Sequence, residues 1–232
     1  MNIKFKALSI KSIDYGDNGK LVTLVTRERG KIIAKAVGCK SIKSPLHIAS
    51  SPFCFGEYIF IEKNGRVSLS GCDVIKFYGA IGEDLDRFYF ASVIAEALDK
   101  FCQEGQPDDE ILELSIHYLD LLSQSNQCAV YVIKFLIELL EKEGYEMFYA
   151  WEAEPYLDFV KGGIVEKCDR TQSSVAVSPE MAKLFFDLSY SEISDNIEYS
   201  VIRESLKNLA RYVYYVCGHS LYTIKNILAM QM

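Results

Sequence analysis

The spacing of apolar residues changes near residue 80, and this change restricts the folds that the chain can adopt. Before residue 80, apolar and polar residues alternate in short runs, and Ile3, Phe5 and Ala7 share one face of the first run. A period of two is typical of β-strands that bury one face. After residue 82 the apolar residues recur with the period of an amphipathic helix. The helical segments begin there and continue at 108–123, 127–143, 179–190, 198–217 and 220–230.

Turn signals divide the first 80 residues into five short predicted strands. Asp17-Asn18-Gly19 and Gly30 separate the first three, and Asn64-Gly65 joins the last two through a predicted type I′ turn. Five short strands in so small a segment favour a closed barrel, for which the OB-fold is the natural candidate. The sequence therefore predicts two domains: an all-β OB-fold barrel at 1–80 and an all-α helical domain at 81–232. An irregular insertion is expected within the helical domain, at about 145–177.

Charge is distributed unevenly between these two parts. Residues 1–80 hold 13 Lys and Arg against 6 Asp and Glu, whereas the remaining 152 residues hold 12 against 26. A small basic β domain suits a polyanionic partner, and an acidic helical body does not. The candidate phosphate-binding cations surround one predicted turn, the strand after it and the following loop: Arg27, Arg29, Lys31, Lys35, Lys40 and Lys43. The alternative for these side chains is an ordinary solvated surface.

Five aromatic residues before and after these cations in the sequence are candidates for base stacking. They are Tyr15, Phe53, Phe55, Tyr58 and Phe60. Core packing is the competing interpretation for most of them. Tyr58 and Phe60 are two residues apart on one predicted strand, so we expect both to point inward.

Composition and motifs argue against several classes of protein. No apolar run reaches the roughly 18 residues of a membrane span, and the N-terminal residues lack the apolar segment of a signal peptide. We therefore expect a cytoplasmic protein with no membrane partner. The seven cysteines contain no C-x-x-C pair, which disfavours a disulfide framework. None of the G-x-S-x-G, Walker A, H-E-x-x-H or G-x-G-x-x-G motifs is present, so we expect no catalytic site.

Two blocks of the sequence resemble one known family. The first block holds Asp14-Tyr15-Gly16-Asp17, then Thr26-Arg27-Glu28-Arg29-Gly30 at the end of a predicted strand, then Lys31 and an apolar strand ending in Gly38. The second block is 209–228, with Tyr212, Gly218, His219 and Lys225-Asn226-Ile227-Leu228. In order and spacing, both blocks resemble the bacterial RecO family of recombination mediators, over nearly the whole chain.

This resemblance implies a function in recombinational DNA repair. A member of this family would bind single- and double-stranded DNA and anneal complementary strands without covalent chemistry. Together with RecR, it would assist RecA in replacing single-strand-binding protein on DNA. The resemblance also implies a bacterial protein that associates with the nucleoid in the cytoplasm.

The family is known for binding the acidic, Phe-ended tail of the single-strand-binding protein. Arg203, Lys207 and Arg211 fall at i, i+4 and i+8 of one predicted helix and form a candidate dock. The apolar side of this dock would come from neighbouring residues, namely Leu206, Leu209 and Tyr212. The alternative for the three cations is pairing with Glu198 and Glu204.

Members of the family often carry a zinc module whose ligands flank a Gly-Gly pair. Here Gly162-Gly163 is present, but Cys168 is the only nearby cysteine, with Glu166 and Asp169 at C-x-x-C spacing. A structural zinc site needs four Cys or His ligands. We therefore expect a degenerate module with no metal and no other cofactor. Packing would hold the segment instead, through Phe148, Tyr149, Trp151, Tyr156, Leu157 and Phe159.

Two other functions remain open from the sequence. The overall acidity and the missing zinc ligands are compatible with a protein-interaction adaptor whose OB domain does not bind DNA. A metal-dependent nuclease is the third interpretation. It would need a second acidic cluster besides Asp108-Asp109-Glu110, which also suits a helix N-terminus.

Overall fold

The computed structural model describes residues 2–149, 154–166, 173–190 and 196–230. The chain divides into two compact units, Met1–Ser125 and Asn126–Met232. Trp151, Cys168 and Asp169, which entered the interpretation of the zinc-module position, lie outside the described residues, as does the side chain of Glu166.

Five strands at the N-terminus close into a barrel, as the alternating pattern predicts. They are β1 (Asn2–Tyr15), β2 (Gly19–Thr26), β3 (Gly30–Val37), β4 (Cys54–Lys63) and β5 (Arg66–Phe77). Their order around the barrel is β1-β2-β3-β5-β4, and only the β3–β5 contact is parallel. The OB-fold barrel and the helical region that follows it confirm the predicted fold class. β1 and β5 are 14 and 12 residues long, and both contain β-bulges, which bend a strand.

The barrel interior follows from the alternation along each strand. Tyr58 and Phe60 are both buried and belong to the barrel core, so the prediction that they point inward is confirmed. The Tyr58 hydroxyl donates to the carbonyl oxygens of Ala49, at 2.8 Å, and of Cys54, at 3.2 Å. These bonds compensate the burial of its polar atom.

The β4–β5 hairpin has the turn that its sequence predicts. Asn64 and Gly65 both adopt positive φ angles, of 52° and 70°. Positive φ at both central residues is the requirement of a type I′ turn, and Asn-Gly meets it with little strain. The local sequence alone therefore determines this connection.

Four helices complete the first unit. They are α1 (Leu46–Ala49), α2 (Gly79–Gly82), α3 (Leu85–Phe101) and α4 (Asp109–Gln124). Asp84 caps α3 by accepting from the Arg87 N–H at 2.9 Å, and Asp108 caps α4 by accepting from the Ile111 N–H at 2.9 Å. The acidic triplet 108–110 thus forms a helix N-terminus.

The turn between β2 and β3 is fixed against the connection between α3 and α4. The Lys31 N–H donates to the Gln103 carbonyl at 3.0 Å, and the Gly105 N–H donates to the Arg29 carbonyl at 2.9 Å. Gly30 lies between these bonds at a φ of 63°. A Cβ atom at this position would lie 2.2 Å from the Gln103 carbonyl oxygen. Only glycine therefore allows the barrel and the helical connection to approach this closely.

The second unit combines helices with a small sheet. The helices are α5 (Cys128–Lys142), α6 (Pro179–Ser189), α7 (Tyr199–Cys217) and α8 (Tyr222–Ala229), near the predicted bounds. The segment expected to be irregular contains β6 (Phe148–Tyr149), β7 (Pro155–Asp158), β8 (Gly163–Glu166) and β9 (Ser174–Ala176), in the order β6-β8-β7-β9. Sequence patterns miss this sheet because strands of two to four residues are too short to show a period.

None of the helices formed by the described residues is long and apolar enough to cross a membrane.

Candidate functional site

The cations predicted to contact phosphate fall into two groups. Those at the β2–β3 turn are paired with acids. Arg27 forms ion pairs with Glu113 and, at 3.5 Å, with Asp109, both on α4. Lys31 Nζ lies 3.3 Å from Asp99 Oδ1 on α3. Helix acids therefore already neutralise two of the six predicted cations.

Arg29, at the same turn, is also paired. Its guanidinium forms an ion pair with Glu62 on β4 and lies over the Phe5 ring, 5.3 Å from the centroid. Both partners are residues of the barrel strands, and the two contacts together favour one orientation of the Arg29 side chain.

The acids of α3, α4 and their connections also change the net charge of the first unit. Residues 81–125 carry 2 Lys and Arg against 11 Asp and Glu, a net charge of −9. Added to the +7 of residues 1–80, this leaves −2 for Met1–Ser125. The basic excess of the barrel is thus offset within one compact unit, and the accessible cations must be identified residue by residue.

The second group of cations lies at the opposite end of the β2–β3 hairpin. Lys35 Nζ lies 4.6 Å from the centre of the Tyr15 ring. Lys40 Nζ pairs with Asp14 at 3.1 Å and lies 3.4 Å from the Gly16 carbonyl oxygen. Lys43 is exposed in the same loop as Lys40. We call Lys35, Lys40 and Lys43 the open-end cations.

Tyr15 is the candidate stacking residue that the structure leaves accessible. Its side chain is 48% exposed, whereas Phe53, Tyr58 and Phe60 are buried and Phe55 is half-buried. Phe53, Tyr58 and Phe60 therefore pack in the interior and are not available for base stacking. Tyr15 carries Lys35 against its ring, so a cation and an aromatic face are presented together.

Strand register extends this site into a face of the barrel. Tyr15 pairs with Gly19, which pairs with Val37, and Ile13 pairs with Leu21, which pairs with Lys35. Residues directly opposite in an antiparallel pair share a face. These two rows therefore form one outer surface across β1, β2 and β3, which we call the open face. In OB-folds, the face of strands 2 and 3 and the loop between strands 1 and 2 bind oligonucleotides.

Sequence reasoning missed the apolar part of the open face. Val37 of the open face and Ile33, which lies on the same side of β3 in the next row, are 61% and 59% exposed, while Ala34 and Ala36 between them are buried in the barrel. The available signal was the size of the alternating residues. Small alanines fit a tight barrel interior, which leaves the larger Ile and Val outside.

The three cations predicted to form one stripe on α7, Arg203, Lys207 and Arg211, do not share one set of contacts. Arg203 donates to the Leu228 carbonyl at 2.7 Å and to the Tyr199 hydroxyl at 3.2 Å. Arg211 lies over the Phe159 ring, 5.4 Å from its centroid. Glu204, one of the expected acidic partners, instead accepts from the Ser178 N–H at 2.9 Å. Within the described residues, no ion pair joins the stripe to Glu198 or Glu204.

A pocket of about 550 Å³ lies between α7, α8 and the β7–β8 turn. Its cations are Lys207, Arg211 and Lys225, and its apolar and aromatic walls include Phe159, Tyr215 and Ile224. Arg203 does not line it. Leu206, Leu209 and Tyr212, expected to form the apolar wall, are buried in the core instead, because they lie on the inner face of the amphipathic α7. Lys225 was missed because it lies on the next helix.

The groups with a raised pKa include one tyrosine of the first unit and two residues of α7. Burial raises the pKa of Tyr212, and burial raises the pKa of the Cys217 thiol to about 11. Burial and a hydrogen bond of 2.5 Å to Asp120 raise the pKa of Tyr78. All three groups stay protonated at neutral pH, so none is prepared to act as a base or a nucleophile.

The zinc-module position contains a tight turn. Gly162 and Gly163 join β7 to β8, both at positive φ. Cys168, the one cysteine near this turn in the sequence, lies outside the described residues. Among the residues that are described, no group of three or more His, Cys, Asp or Glu side chains could hold a metal ion.

Comparison with known proteins matches both compact units to the same protein family. A family model for the N-terminal region of recombination protein O matches residues 1–78, and one for its C-terminal region matches 82–222. A DNA repair protein RecO of Acetivibrio thermocellus is 24% identical over 90% of this chain and 88% of its own length. A DNA repair protein RecO of Bacillus velezensis is 28% identical over 92% of this chain and 87% of its own length. The chain therefore belongs to the recombination protein O (RecO) family.

Proposed function

We propose that this protein is a non-enzymatic DNA-binding mediator of recombinational DNA repair. Family membership supports the repair function, because relatives carry the name DNA repair protein RecO. The observation that carries DNA binding is the open face, where Tyr15 and Lys35 present an aromatic ring and a cation side by side. The proposal extends to single- and double-stranded DNA, because both forms offer phosphates to the cations, and an exposed ring can in addition stack on the unpaired bases of a single strand.

Strand annealing is the proposed activity. The open-end cations would neutralise phosphates on one strand and so reduce its repulsion of a second strand. Base pairing then supplies the free energy of the product, and no group of the protein has to react. In the cell, this activity would operate with RecR while RecA replaces single-strand-binding protein on DNA.

The pocket of the second unit is the proposed dock for the tail of the single-strand-binding protein. An acidic peptide that ends in phenylalanine needs cations for its carboxylates and an apolar site for its ring. Lys207, Arg211 and Lys225 meet the first need, and Phe159 and Ile224 meet the second. At physiological ionic strength the screening length is about 8 Å, so this patch acts locally within an acidic protein.

A salt titration of DNA affinity tests the proposed function. If the three open-end cations contact phosphates of single-stranded DNA, log affinity should fall against log salt with a slope of roughly −2. Annealing of complementary oligonucleotides should be accelerated under the same conditions. A flat salt dependence with no annealing would contradict the proposal.

The adaptor hypothesis is the second candidate, and the pairing of Arg27 and Lys31 with helix acids favours it. An adaptor would bind its protein partners, RecR and the peptide tail, and show no salt-dependent DNA affinity. The titration above therefore separates the two functions.

We also propose that the protein binds no structural zinc. The segment that holds the Gly-Gly pair forms a sheet through backbone pairing, and the chain contains no C-x-x-C pair that could supply the usual thiolates. Elemental analysis of purified protein should find far less than one zinc per chain. A stoichiometric content would overturn this proposal.

A further inference from the structure

One wall of the proposed peptide-docking pocket comes from the β7–β8 turn, Asp158–Gly163, which packs against α7. Phe159 of this turn is only 7% exposed. Its ring centroid lies 5.5 Å from that of Tyr215 and 6.2 Å from that of Tyr212. Arg211 lies over the same ring. Phe159 therefore has two roles, since it packs against α7 and also forms part of the pocket wall.

Asp158 fixes the conformation of this turn. Its Oδ1 atom accepts hydrogen bonds from the N–H groups of Val160 and Lys161, each at 2.9 Å. Its carbonyl oxygen accepts from the Gly162 N–H at 3.0 Å. Asp158 is itself 5% exposed, so these bonds form away from water, where they are stronger.

The two glycines allow the turn to pack closely on its neighbours. A Cβ atom at Gly162, where φ is +77°, would lie 3.1 Å from the Tyr212 hydroxyl. A Cβ atom at Gly163 would lie 2.1 Å from the Phe148 carbonyl oxygen. The Gly-Gly pair therefore has a packing reason that involves no metal.

We propose that Asp158 is a positioning residue and Phe159 a specificity-determining residue of the pocket. The capped turn holds the Phe159 ring under the Arg211 guanidinium, so that the cation stays at the pocket edge and the apolar wall exists before a ligand arrives. A preformed wall lowers the entropy cost of binding the terminal ring of an acidic peptide. This inference rests on the proposed peptide docking. It adds that Phe159, held in place by the turn that Asp158 caps, selects peptides with an aromatic C-terminal residue.

Fluorescence anisotropy with a labelled acidic peptide ending in phenylalanine tests this assignment on the full chain. Phe159→Ala should weaken binding by about 10-fold or more, since it removes a buried aromatic contact. Asp158→Ala should weaken binding as well, whereas Asp158→Asn should bind like the wild type, because an amide oxygen accepts the same two bonds. Phe148→Ala is the matched control, since Phe148 belongs to the same sheet but is 46% exposed and does not line the pocket.

The outcomes separate this inference from the docking function. If the wild type does not bind the peptide, both fail. If Lys207→Glu abolishes binding while Phe159→Ala and Asp158→Ala bind normally, docking stands and this inference is overturned. Equal losses in Asp158→Asn and Asp158→Ala would exclude positioning by the cap. Should Phe159→Ala unfold, Phe159→Leu keeps the apolar volume without the ring, and unchanged affinity in that variant would also overturn the inference.

Discussion

Replacing Gly30 with alanine is expected to destabilise the first compact unit by about 3–5 kcal/mol. The new Cβ atom would lie 2.2 Å from the Gln103 carbonyl oxygen and 2.3 Å from that of Gln106. Both are backbone atoms, so no side-chain rotation relieves the overlap. The β2–β3 turn or the α3–α4 connection must move, and the hydrogen bonds between them are lost.

Gly38→Ala is the matched control for this change. Gly38 has a similar φ of +71°, but a Cβ atom there meets nothing within 4 Å. Its substitution should therefore carry only the left-handed backbone penalty, about 1–2 kcal/mol. Denaturant unfolding followed by circular dichroism measures the free energy of unfolding of both variants. Hydrogen exchange then shows whether the lost stability is confined to residues 1–125. Equal stabilities of the two variants would show that the close approach at Gly30 is not required.

Reversing the three open-end cations is expected to reduce DNA affinity on the order of 100-fold at physiological salt. The variant is Lys35→Glu, Lys40→Glu, Lys43→Glu. The loss should be similar for every DNA sequence and should flatten the salt dependence, because phosphate contacts carry the effect. Gel-shift titrations at several salt concentrations give both quantities.

A charge-matched variant in the second unit provides the control. Lys207→Glu, Arg211→Glu, Lys225→Glu changes the net charge by the same amount within the peptide pocket. It should retain DNA affinity and lose the acidic peptide, while the open-end variant should do the reverse. Equal loss of DNA affinity in both variants would mean that net charge, and not the open face, determines binding.

The local features of the fold could be predicted from the sequence. The inward direction of Tyr58 and Phe60 and the turn at Asn64-Gly65 depend on neighbours within a few residues, and these predictions are confirmed. The six longer helices, α3 to α8, also agree with their predicted segments, since an amphipathic period repeated over several turns is a strong signal.

The features that depend on distant residues could not be predicted. Arg27 and Glu113 are 86 residues apart in sequence, so nothing local indicates that they form an ion pair. The pocket shows the same limit. The spacing on α7 identified Lys207 and Arg211, but Lys225 and Phe159 come from other elements, and only the tertiary fold brings all four together. The predicted phosphate-binding and peptide-docking functions of these residues stay predictions until the variants above are measured.

The contact between the β2–β3 turn and the α3–α4 connection also limits how the protein can evolve. A barrel inherited without α3 and α4 would lose the partners of Arg27 and Lys31. Exchange of modules between relatives should therefore preserve the stretch from residue 2 to residue 125 as one heritable block. Within that block, a change in the β2–β3 turn requires a compensating change about 75 residues downstream, near Gln103.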